Sequence, residues 1–184
     1  MAKRVFKIIP ASSLTYLGFG IVFLLMLVPF VALTIQCYKD WGSSMVGFWI
    51  GISGLILITG VALIFIFFSY SARNSKVILS ENGLAIKTFL YGKTLAKGDF
   101  IHNNTVKVDL RNQHSFVPVI RTNGIGLPGY QAGWFRLANK ERALLVVTDR
   151  SQVVYLPTNI GYSVLLSVIK PEEFITSTKE FWKS

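Results

Sequence analysis

The sequence predicts a membrane-anchored α+β protein: a two-helix transmembrane hairpin followed by a small β-barrel or sandwich with a C-terminal helix. Three observations carry this expectation. Two long stretches near the N-terminus lack any charged side chain, and the composition turns to that of a soluble domain after residue 75. There the hydrophobic period is mostly two, until it changes to that of a helix near the end.

The 184 residues are 52% hydrophobic with a mean hydropathy of +0.50. That is too apolar for an ordinary soluble domain, and the excess lies before residue 71. A net charge of +10 and a pI near 9.9 favour contact with an anionic surface. Nucleic acid, acidic protein and the inner leaflet of a bilayer all qualify, and the apolar stretches favour the leaflet. Cys37 is the single cysteine, so no internal disulfide forms, and His102 and His114 make no zinc spacing. No cofactor or metal is expected.

Residues 14–36, LTYLGFGIVFLLMLVPFVALTIQ, and 46–70, VGFWIGISGLILITGVALIFIFFSY, are each uncharged. Either is long enough for a bilayer core, which takes about 20 helical residues. The first exceeds the roughly 7–15 apolar residues of a cleavable signal and lacks a small-x-small site, so it reads as an uncleaved anchor. Residues 37–45, CYKDWGSSM, leave room for a short extracytoplasmic loop only. Lys3, Arg4 and Lys7 in the basic 1–13 segment, with Arg73 and Lys76 after the second span, outweigh a loop in which Lys39 is balanced by Asp40. Both termini are therefore expected in the cytoplasm. Tyr38, Trp41 and Tyr70 sit near span ends, where amphipathic rings prefer the headgroup zone.

Gly47 and Gly51 form a GxxxG pair, and with Gly54 they make a lean face suited to close helix packing. That face can serve the first span, a second copy or another membrane protein. Neither span contains Asp, Glu, Lys, Arg or His, which argues against a proton relay and hence a pump or transporter.

From Lys76 onward there are 14 basic against 8 acidic residues, a net charge of +6 on a region of one-domain size. Strands are predicted at 77–80 and 84–90 around Glu81-Asn82-Gly83, at 93–96, at 105–110, and at 115–121 with Pro118 at an edge or bulge. Ala143–Thr148 and Gln152–Leu156 read as a hairpin about Asp149-Arg150-Ser151, and Tyr162–Val168 is an ambiguous apolar run. Pro171, Glu172 and Glu173 suit a helix start, and Phe174, Ile175, Phe181 and Trp182 recur near one face.

Residues 123–136, NGIGLPGYQAGWFR, contain a G-x-G-x-x-G at Gly124, Gly126 and Gly129, with Asp149 about where a dinucleotide site wants an acid. Such a site needs a helix directly after the glycines. Pro128 and Gly133 bar one, so the glycines are expected to permit a bulged turn while Tyr130, Trp134 and Phe135 cover the core, and Asp149 becomes a turn residue. The functional alternative makes Arg121, Tyr130, Trp134 and Arg136 a binding lip for a partner peptide or a lipid headgroup.

The run RTNGIGLPGYQAGWFRLANKERALLVVTDRSQVVYLPT at 121–158, followed by LLSVIKPEEF at 165–174, resembles the bacterial pleckstrin-homology-like (bacterial PH) domain family. The likeness spans about 76–183 and implies a PH-like fold over 76–184 in a bacterial inner-membrane protein. It implies binding of a protein partner, a second copy or lipid. Asn139-Lys140 stands where the family has Asn-Gly, implying a looser hairpin there. Lys87, Lys93 and Lys97 lie on or beside the early strands, where many eukaryotic PH domains carry lipid-binding cations. With Arg73 and Lys76 they are the candidate anionic-lipid contacts.

Scattered charge without a recognition helix argues against nucleic acid. His114 beside Ser115 is only sequence adjacency, and no serine lies in a nucleophile elbow, so no enzyme is expected. The alternative role is an accessory subunit of a membrane transport or stress-response complex, with the hairpin making the contact through Gly47 and Gly51.

Overall fold

The computed structural model describes residues 3–11, 13–41, 45–73, 75–88, 90–101, 104–127 and 129–182. His102, Pro128 and the 42–44 connection lie outside these residues. The chain divides into two units, Ser13–Tyr70 and the pair of segments Met1–Ser12 and Ser71–Ser184.

The first unit holds helices α1 (Ser13–Trp41) and α2 (Met45–Arg73), each of 29 residues. Both overrun the expected spans, and the expected 37–45 loop is helical through Trp41, because residues 37–41 contain neither glycine nor proline. Among the described residues, Tyr16–Cys37 is long and apolar enough to cross a membrane, and Gly51–Ile64 of α2 is a shorter apolar stretch. Large apolar side chains such as Leu25 and Leu55 stand exposed on both helices. The helices meet at Gly54, where an added Cβ would collide with the Phe30 ring and crowd the Thr34 methyl at 3.2 Å. Gly51 has nothing among the described residues within 4 Å of an added Cβ.

The second unit corrects the expected boundaries. Residues 1–13, read as a basic tail, contribute strand β1 (Lys3–Lys7), which pairs antiparallel with β2 (Lys76–Ser80) from Lys3↔Ser80 to Lys7↔Lys76. Alternation explains it: Phe6 turns into the core while Lys3, Val5 and Lys7 face out. Beyond the strand, Ile8 and Ala11 are buried too, and the Ile9 N–H donates to the Ser167 carbonyl at 2.8 Å. The helices are thus inserted between two neighbouring strands of one sheet. With β3 (Gly83–Lys87) and β4 (Lys93–Ala96) that sheet has the order β1-β2-β3-β4.

The other sheet comprises β5 (Val106–Val108), β6 (Pro118–Leu127), β7 (Tyr130–Leu137), β8 (Arg142–Val147), β9 (Val153–Leu156) and β10 (Ser163–Leu166), in the order β5-β9-β10-β8-β7-β6. The expected β8–β9 hairpin does not form. The chain returns after β9 and lays β10 between them, antiparallel to β9 and parallel to β8. Every residue of β10 is buried, as befits a central strand. The glycine-rich stretch is two long strands rather than mainly a turn. Gly124 lies opposite Gly133, whose φ is +115°, and a Cβ on either would come within 2.5 Å of the facing strand. Pro118 begins the edge strand beside a register shift. The β7–β8 hairpin is tight, not loose: pairing runs unbroken to Arg136↔Arg142, because Lys140 takes the positive φ of 68° that a glycine would otherwise supply.

Helix α3 (Pro171–Trp182) starts at the expected proline. Its Phe174 meets Phe6 edge-on at 5.0 Å, and Trp182 stacks on Phe100 at 4.7 Å while donating its indole N–H to the Ser80 carbonyl at 3.0 Å. The main core lies between the sheets and under α3, from Phe6, Leu79 and Leu84 to Leu144, Val164 and Trp182. A second core on the other face of the six-stranded sheet gathers Leu110, Phe135, Leu145 and Leu165, with Phe116 packed against it.

Losing residues 1–12, β1 included, removes Phe6 and Ile8 from the main core. Deleting such side chains costs about 2–5 kcal/mol each, set against a typical domain stability of about 5–15 kcal/mol. A fragment of residues 75–184 is therefore expected to lack a cooperative thermal transition, and residues 1–12 joined to it through a short Gly-Ser linker to restore one. Equal melting of the two fragments would refute the assignment of β1 to the domain.

Candidate functional site

Strands β7 and β8 build the site by simple alternation. Trp134 and Arg136 share one face of β7, and the register sets Arg136 opposite Arg142. Arg142 reaches diagonally to place its guanidinium carbon 4.3 Å from the Trp134 ring centroid. From the other sheet Lys93, opposite the inward Ile86, brings its ammonium to 5.1 Å from the same ring and 4.7 Å from that of Tyr162. Tyr162 completes the cluster edge-on to Trp134 at 4.9 Å, and its buried hydroxyl has no hydrogen-bond partner among the described residues.

The ion pairs among the described residues, Arg4–Glu180, Lys107–Glu172, Arg111–Asp149 and Lys170–Glu173, leave Lys93, Arg136 and Arg142 without a carboxylate. Glu141, the acid next to Arg142, is turned to other work: it accepts hydrogen bonds from the Tyr155 hydroxyl at 3.0 Å and the Asn139 amide at 3.3 Å. Burial, reinforced by that carboxylate, pushes the Tyr155 phenol up to about 12. The cluster thus offers cations and ring faces with their charge uncompensated, an arrangement suited to an anionic group.

The lip expected from the sequence comes together only in part. Trp134 and Arg136 join, and Lys93, expected as a lipid contact, joins them. Arg121 lies opposite Phe135 and so occupies the other face of the β6–β7 ribbon. Tyr130 is buried at the start of β7, on the wall of a cleft of about 280 Å³ at the hairpin end. Gly126 and Gly129 line that cleft with Gln131, whose buried Oε1 has no partner among the described residues. A strand, not a helix, follows these glycines, so the dinucleotide spelling is incidental. Asp149 is a turn residue: its Oδ1 accepts the Ser151 N–H at 2.8 Å and hydroxyl at 2.7 Å. Burial works to raise its pKa, but these bonds and the nearby Arg111 outweigh it and hold the carboxyl below its ordinary value.

Of the other expected lipid contacts, Lys76 and Lys87 face each other across β2 and β3, Lys97 lies in the helical turn after β4, and Arg73 ends α2. Of the packing glycines, Gly54 touches α1, Gly51 is open, and Gly47 lies in the first turn of α2. Arg142 and Tyr162 were missed by sequence reasoning. Folding the hairpin about Asn139-Lys140 would have set Arg142 beside Arg136, whereas Tyr162 arrives with the inserted β10 and has no local signal.

Two antiparallel-rich sheets with a helix over their shared core define the pleckstrin-homology-like class. The chain belongs to the bacterial PH domain family, whose model matches residues 75–180. No curated protein matches the chain, and no solved structure does. The family match begins at β2, so β1 lies outside it.

Trp134 is half-buried and braced by two cations, so it serves first as a lid on the core. Trp134→Ala is expected to lower stability by about 3 kcal/mol, against under about 0.5 kcal/mol for Arg136→Ala. Denaturant unfolding of the full-length chain measures both, and equal effects would refute this division.

Proposed function

We propose that the chain is a non-catalytic integral protein of the bacterial inner membrane. Helices α1 and α2 form its two-span anchor, and its PH-like domain, on the cytoplasmic side, binds an anionic lipid headgroup or the acidic surface of a protein partner, a second copy included. The observation that supports the anchor is the β1–β2 register. Strands that pair in one sheet lie on one side of any bilayer, so the chain between them must cross an even number of times. Tyr16–Cys37 is long and apolar enough for one crossing, and α2, uncharged from 46 to 70, supplies the return. Lys3, Arg4, Lys7, Arg73 and Lys76 at the two ends favour the cytoplasm for the domain. Binding is assigned to Lys93, Arg136 and Arg142 about Trp134, where cations stand free of carboxylates among the described residues.

Single cysteines in a Cys37→Ser background test the topology with a membrane-impermeant thiol reagent. Ser43→Cys is expected to label in intact cells and Lys140→Cys only after lysis. Labelling of both, or of neither, in intact cells contradicts the two-span anchor.

A second reading, an accessory subunit of a transport or stress-response complex whose hairpin makes the specific contact, is favoured by Gly51. Its face stays open among the described residues while Gly54 is occupied by α1, and small open faces suit helix–helix contact. Gly51→Leu is expected on this reading to remove a co-purifying membrane partner without altering the melting of the β-domain. An unchanged partner set eliminates it.

A further inference from the structure

The outer face of the four-stranded sheet carries a row of lysines that pairing alone would disfavour. Lys7 lies opposite Lys76, and Lys76 opposite Lys87, so neighbouring strands present like charges side by side on one face. Like charges directly opposite in a sheet are destabilising. All three are exposed, and none takes part in an ion pair among the described residues. Glu173, which shares a groove with Lys7, is already paired to Lys170 at 2.8 Å. The remaining outward positions of β1 to β3 are Lys3, Val5, Ile78, Ser80, Gly83 and Ala85, without a carboxylate. The row also has a definite place along the chain. Lys7 ends the strand that leads to α1, and Lys76 opens the strand that follows α2. Three residues of chain cannot carry Lys76 more than about 11 Å from Arg73, close to the screening length at physiological salt.

We propose that Lys7, Lys76 and Lys87 form a docking row for the anionic headgroups of the bilayer leaflet beside the domain, distinct from the cluster around Trp134. This rests on the membrane anchoring proposed above. Headgroup phosphates supply the counter-charge that the sheet lacks, and the row then fixes the domain against its own membrane. An acidic protein could neutralise the same row, but the position of the lysines at the strand ends next to the helices favours lipid.

The test is residue-resolved lysine labelling of the full chain in nanodiscs of phosphatidylcholine alone and of phosphatidylcholine mixed with phosphatidylglycerol. Labelling of Lys7, Lys76 and Lys87 is expected to fall several-fold in the anionic discs and to recover in high salt, with Lys140 and Lys179 unchanged. Lys76→Glu provides a second readout: it should raise the melting temperature in neutral detergent, by relieving both like-charge contacts, and abolish the protection of Lys7 and Lys87. Equal labelling in the two disc types, or a Lys76→Glu variant that melts lower, overturns the docking row. A chain that fails to enter discs at all overturns the anchoring reading and this inference with it.

Discussion

The pairing of β1 with β2 is the constraint on which the rest depends. It joins residues separated by the whole helical insertion, and it does so in register from Lys3↔Ser80 to Lys7↔Lys76. Its energy is not that of five residues of backbone alone, because Phe6 and Ile8 are carried into the core beside Phe174 and the 167–169 segment. Arg4 ties the same strand to α3 through Ser177 at 2.7 Å and Glu180 at 3.0 Å. The exposed ion pair adds little, whereas the buried aromatic contact adds most. The consequence is topological. A domain closed across its own insertion returns both ends of that insertion to one place, and any membrane crossing must then be even.

A second constraint is the late arrival of β10. Its four residues, all buried, hold β8 and β9 apart and give the six-stranded sheet a central parallel pair. The same return brings Tyr162 to the edge of Trp134 and Lys93. The candidate site is therefore made by long-range contacts, with β4 from one sheet and β7, β8 and the residue leading into β10 from the other. Among the described residues its cations pair with no carboxylate, and Glu141, the acid adjoining Arg142 in sequence, accepts from Tyr155 instead.

Much of the architecture was legible where local physics decides. The Asn-Gly turn after β2, the edge position of Pro118 and the start of α3 at Pro171 all follow from backbone chemistry. What escaped was non-local. KRVFK is short and flanked by cations, so its one inward phenylalanine could not distinguish a strand from a basic tail. The order of β8, β9 and β10 was hidden for a similar reason: each is a continuous apolar run, and such runs do not state which neighbour they take. The binding lip failed as a unit because four residues close in sequence fall on two faces once alternation is applied. Cross-strand lysines could be seen only after the register was known.

Closure of the domain across the helical insertion is most directly tested by cross-linking at one rung of the β1–β2 ladder. Val5 and Ile78 face each other on the outer side of the sheet, and cysteines there, in a Cys37→Ser background, would be within reach of a disulfide if the strands pair. Near-complete oxidation of Val5→Cys/Ile78→Cys is expected in the full-length chain, with none for Val5→Cys paired with Ser80→Cys, two residues out of register. Failure of the first pair to cross-link, or equal cross-linking of both, would contradict it.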